Sequence, residues 1–180
     1  MFLGVLATAG AVSQLGLALD TGSGRVSLLL LLSFVVYAAL GLLLLSNLIW
    51  VFALASLGSW MGTETGYTSG WGAYYLGMNY PLRFVLFGAL LTGAALAWQK
   101  HPIGTHLHRS TLAMGLLYLF IALWIMSIFG NYGDMRAWER VRQIELFHWS
   151  ILFAAVAGWA IYQGLRHDDD MTKGYGMTFL

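Results

Sequence analysis

Residues 26–60 contain no Asp, Glu, Lys or Arg, and this uncharged run restricts the possible folds more than any other feature of the chain. As one helix it would be about 50 Å long, against a hydrocarbon core of about 30 Å. Tilt does not absorb so large an excess. The polar pair Ser46-Asn47 interrupts the run near its middle, so the run predicts a hairpin of two membrane helices, 26–44 and 48–60. Composition agrees: 59% of residues are hydrophobic and 9% charged, where a soluble domain carries roughly a quarter charged residues.

The same test applied along the chain predicts an all-α, polytopic transmembrane bundle of about six spans: 2–19, 26–44, 48–60, 82–98, 112–129 and 147–165. The 180 residues form a single integral-membrane domain. The first run is read as a span ended by a turn at 20–24. It lacks the basic residues that open a signal peptide, since the first Lys or Arg is Arg25. In 82–98, Gly88 and Thr92 lie one turn apart, as do Ala89 and Gly93. Such small-residue faces let another helix approach closely, whether from this chain or from another membrane protein. Lys100, Arg109, Arg166 and Lys173 fall at one end of the bundle, and Arg25, Arg83, Arg136, Arg140 and Arg142 at the other. That near-balance does not orient the chain by the positive-inside rule. The lack of Lys and Arg in 62–80 favours an outward-facing loop. The apolar return at 174–180 reads as the opening of a further span, so the chain is expected to stop short of a last helix.

Charge and chemistry exclude several classes. A net charge of +1 supplies no basic patch for a nucleic acid; the partner this chain calls for is the lipid bilayer. No cysteine is present, which removes disulfides and thiolate sites. There is no phosphate loop, Gly-x-Ser-x-Gly elbow or His-Glu-x-x-His. No cofactor is called for. A haem between His108 and His148 is excluded because consecutive antiparallel spans put their starts about 30 Å apart.

Three groups of residues remain. His101, His106 and His108 share the polar loop 99–110, but imidazole alone, flanked by Lys100 and Arg109, makes a weak metal candidate where about four ligands are wanted. Glu145 and His148 lie three apart on one helix face, half of a di-metal carboxylate motif whose other half is missing. The third group is the polar, aromatic end built by the Gly-rich loop 62–81 and the segment 130–148. Arg83 enters a span there, where a charge is costly unless paired, and Glu145 is its expected partner. With His148, Glu64, Tyr67 and Tyr75 it forms the candidate ligand-binding set, for a small molecule or lipid headgroup. Interfacial belts of Tyr and Trp holding structural ion pairs have the same composition. A small-solute transporter is the alternative, though no repeat or mid-span charge supports it. An intramembrane enzyme using Glu145 and His148 as acid and base is a further one, lacking a nucleophile.

The runs GTETGYTSGWGAYYLGMNYPLRF (62–84), FGNYGDMRAWERVRQIELFHWS (129–150) and GLRHDDDMTKGYGMTFL (164–180) resemble a family of bacterial membrane proteins classed as a domain of unknown function. The likeness covers 46–180, with GMNYPLRF and RQIELFHWS its most specific pieces. Members of that family run longer, with a further C-terminal span. The resemblance implies a multi-span protein of the bacterial cytoplasmic (inner) membrane and implies no activity.

Overall fold

The computed structural model describes residues 2–18, 26–99 and 104–180. The turn at 20–24, Lys100 and His101 lie outside them, as does the side chain of His106. The described residues form an all-helical protein: α1 (Phe2–Ala18), α2 (Val26–Leu43), α3 (Asn47–Thr68), α4 (Tyr80–Trp98), α5 (Gly104–Phe129), the single turn α6 (Met135–Trp138), α7 (Gln143–His167) and α8 (Asp170–Phe179). Four helices are long and apolar enough to cross a membrane, within α2, α4, α5 and α7. Their outward faces are apolar, with Leu43, Leu90, Ile144 and Leu165 all strongly exposed. That surface suits lipid and not water, and the chain is an integral membrane protein.

The break at Ser46 is real. Leu45 takes a left-handed backbone (φ 47°) and α3 starts at Asn47, folding back along α2. Beyond the break the structure departs from the composition. The predicted second half of the hairpin ends at Trp60, yet α3 continues to Thr68 and takes in the first part of the Gly-rich stretch. Thr63, Thr65 and Thr68 return their hydroxyls to the carbonyls of Ser59, Met61 and Glu64, so their polar groups are met within the helix. Gly62 and Gly66 leave room for the rings of Phe84, Tyr80 and Trp71. At 22 residues the helix is about 33 Å long. Likewise α5 starts at Gly104, so His108 is helical and does not belong to a loop.

The bundle is organised on α5. Within its span 44% of residues are buried, against 17–28% for the other three, and Leu116, Phe120, Leu123 and Met126 are closed off completely or nearly so. Trp50 Nε1 on α3 donates to Thr111 Oγ1 at 2.8 Å, a buried bond between helices of the kind that holds membrane bundles together. The most extensive helix–helix contact among the described residues is that of α4 with α5. A Cβ on Gly88 would collide with the backbone at Leu119, and one on Gly115 with the backbone at Thr92. The Gly88/Thr92 face is therefore consumed inside the chain, whereas Ala89 and Gly93 face outward.

After α7 the chain reverses at Asp168, left-handed at φ 53°. Asp169 caps α8 by accepting from Met171 N, and α8 lies back along α7, with Phe179 stacked 5.0 Å from Phe120. Lys173 bonds Asp170 at 2.6 Å. That bond holds the Asp170 carboxyl below, and the Lys173 ammonium above, its ordinary range. The pair's small, exposed contribution is thus present at neutral pH and fades as pH falls through the lowered carboxyl range.

Gly88→Leu should lower the thermal stability of the detergent-solubilised protein by about 1–3 kcal/mol, the usual cost of overpacking. Gly93→Leu gains the same helix propensity but meets open space, and should be neutral or slightly stabilising. Equal losses at both positions would show that α4 does not pack on α5 through Gly88.

Candidate functional site

The polar end of the bundle is made by two connections, 69–79 between α3 and α4 and 130–142 between α5 and α7. The first begins with a Schellman closure of α3. Gly70 is left-handed (φ 61°), its N–H donates to Tyr67 O at 3.0 Å, and Trp71 N donates to Gly66 O at 2.7 Å. It then forms a tight hairpin in which Tyr75 and Met78 exchange backbone hydrogen bonds, both 3.0 Å. The two turn residues, Leu76 and Gly77, have φ 51° and 76°. A glycine adopts that backbone freely, but Trp71 (φ 59°) and Leu76 do so at a cost of about 1–2 kcal/mol each. Strain of this kind persists where the surroundings over-determine the conformation.

Arg83 and two asparagines do so. Arg83 is 4% exposed. Its Nε donates to Met78 O at 3.0 Å and its Nη2 to Ala73 O at 3.3 Å. The cation lies 4.4 Å from the centre of the Tyr80 ring and 5.5 Å from that of Tyr75, and Nη1 has no hydrogen-bond partner among the described residues. Asn79 caps α4, accepting from Leu82 N at 3.1 Å, with Pro81 in the first turn. Its Nδ2 donates to Gly130 O at 2.8 Å, and its own N–H donates to Asn131 Oδ1 at 2.9 Å. Asn131 replies through Nδ2 to Gly77 O at 2.9 Å. Tyr74 Oη donates to Asn131 O at 2.9 Å and accepts from Gly133 N at 2.7 Å. Gly133 is needed because a Cβ there would strike Ala73 and the Tyr74 ring.

Between the connections is a crevice of about 270 Å³ lined by Tyr80, Phe129, Tyr132, Asp134 and Trp138, among others. Trp138 is fixed by Nε1 donating to Ile128 O at 3.0 Å and by Phe129, whose ring is 5.4 Å away. Asp134 is exposed and accepts from Arg136 N at 3.1 Å.

The expected site residues divide. Arg83 and Tyr75 meet as part of the guanidinium clamp. Tyr67 packs edge-on against Trp71, 5.0 Å away, and Glu64 is half-buried on the last turns of α3. Glu145 and His148 stand exposed at the start of α7, where His148 lies 5.0 Å from Trp149. The expected Arg83–Glu145 ion pair does not form: among the described residues the ion pair is Lys173–Asp170, and backbone carbonyls with two aromatic faces receive the Arg83 charge instead. His108 lies at the other end of the bundle and donates from Nδ1 to Ala95 O at 2.9 Å. It lines a cavity of about 390 Å³ together with His167 and Asp169, whose carboxylate is taken up by Met171 N and Thr172 Oγ1. Among the described residues no three His, Asp or Glu side chains gather as a metal site. Asn79, Asn131 and Trp138 are the residues that sequence reasoning missed. Asn79 alone carries a local signal, an Asn directly before Tyr-Pro at a helix start.

Comparison with protein-family models, with curated proteins and with solved structures finds no match.

Asn79→Ala and Asn131→Ala should each lower stability by about 1–2 kcal/mol, and the double mutant by clearly less than the sum; strict additivity would mean that the two loops are not joined through them. Arg83→Ala should cost about 2–3 kcal/mol through lost charged hydrogen bonds, and Glu145→Ala less than about 0.5 kcal/mol. Matching losses at Arg83 and Glu145, not increased in the double mutant, would make them partners and overturn the clamp.

Proposed function

We propose that this chain is a multi-span protein of the bacterial cytoplasmic membrane that binds a small molecule or lipid headgroup at the end formed by connections 69–79 and 130–142. The observation that carries the reading is the crevice of about 270 Å³ between them, held open by side chains that are themselves fixed in place. Pre-organised rings with a few placed polar groups are what small-ligand sites are made of. A binding role is favoured over acid–base catalysis because Glu145 and His148 do not line the crevice. On this reading α1 and α3 join the four long helices as spans, about six in all.

Two measurements test this. Single cysteines at Thr68 and Arg136, in a chain with no cysteine of its own, should label from the same side of the membrane; labelling from opposite sides would overturn the arrangement. Delipidated protein in detergent should gain thermal stability when bacterial polar lipids are added, by up to about 2.7 kcal/mol at a hundredfold excess over Kd. Trp138→Leu should remove most of that gain. A gain that survives Trp138→Leu and Tyr132→Leu unchanged would place binding elsewhere.

A further inference from the structure

An apolar groove of about 340 Å³ runs along the seam of α4 and α5, lined by Phe84, Leu117, Tyr118, Ile121, Ala122 and Ile125. It shares Tyr80 and Pro81, as well as Ile125, with the crevice between the two connections. The two therefore adjoin, the groove apolar at membrane depth and the crevice carrying the carboxylate of Asp134 at the end of the bundle. Ile121 is 41% exposed, so the groove opens to the surroundings of the spans, which in a bilayer are acyl chains. The crevice differs in carrying charge: it is lined by the rings of Phe129, Tyr132 and Trp138 and by one carboxylate, Asp134, groups that suit an organic ammonium through ring faces and charge. Arg83 does not line the crevice, and its Nε and Nη2 are bound to loop carbonyls. Arg136 and Arg140, exposed on the same connection, offer positive charge to a phosphate.

We propose that the occupant is a membrane phospholipid with an ammonium-bearing headgroup, its acyl chain in the α4–α5 groove and its ammonium against Asp134 and the rings around it. This rests on the binding reading above and names the ligand class. Because the groove is part of the site, the ligand comes from the bilayer and not from water.

Native mass spectrometry of the full chain tests the proposal, with a phosphoethanolamine or a phosphoglycerol lipid of identical acyl chains added to the delipidated protein. The phosphoethanolamine lipid should be retained about tenfold more tightly, a difference of about 1.4 kcal/mol. Asp134→Asn, which keeps an oxygen for Arg136 N, should bring the ratio close to one. Ile121→Trp, at an exposed position that tolerates bulk, should weaken both lipids about tenfold. Glycerophosphoethanolamine, the headgroup without chains, should not displace the lipid at equal concentration. Equal retention of the two lipids, with Ile121→Trp still weakening both, would overturn the ammonium assignment while leaving a lipid site in place. Retention unaffected by Ile121→Trp, or displacement by the chain-free headgroup, would remove the groove from the site. Retention of neither lipid, together with no thermal gain from polar lipids, would overturn the binding reading as well.

Discussion

The guanidinium of Arg83 and the carbonyls of Ala73 and Met78 satisfy each other in a place where neither would find water easily. A backbone that leaves a helix near lipid must find partners for its polar groups within the protein. A cation at the start of a span must find acceptors. One side chain answers to both: Nε and Nη2 take up two carbonyls of the connection between α3 and α4, which is irregular, with Trp71 and Leu76 in left-handed conformations. The rings of Tyr75 and Tyr80 complete the surroundings of the charge. They belong to the same connection and to the first residue of α4, so the clamp is local and adds little topological demand.

The second connection is joined to the first by amides in place of charges. Each asparagine reaches the opposite connection: Asn79 Nδ2 donates to Gly130 O, Asn131 accepts from Asn79 N and donates to Gly77 O, and Tyr74 closes the remaining gap with a hydroxyl that both gives and takes. Amides are suited to this task because each carries donor and acceptor together, so the bridge leaves no net charge at the membrane surface. The crevice lies where these two connections stop touching, and its aromatic lining is held by Trp138 bonding back to the end of α5.

The span pattern was legible wherever apolar length alone decides. An uncharged stretch too long for one crossing, with Ser46-Asn47 near its middle, has to turn there. The extension of α3 to Thr68 was not legible, because glycine and threonine carry low intrinsic helix preference. What overrides it is tertiary: the rings of Phe84, Tyr80 and Trp71 fill the places that Gly62 and Gly66 leave. The cost of Arg83 could be read from its position, but its partner could not. Sequence reasoning matches charges with charges, and so it selected Glu145; main-chain carbonyls, which every residue possesses, leave no mark in the sequence. The asparagine bridge was hidden for a related reason, since a turn asparagine shows its role only when the opposite turn is known.

The bonds that join the two connections link residues 51 to 59 positions apart, with the whole of the α4–α5 hairpin between them. They can form only after that hairpin has closed and its two ends have come level. The ligand-facing end is then the last part of the protein to assemble, and by the same reasoning the first to open, while the glycine-sealed seam of α4 and α5 stays shut. Amides of 69–79 and 130–134 should exchange with solvent as one unit, ahead of the α5 core.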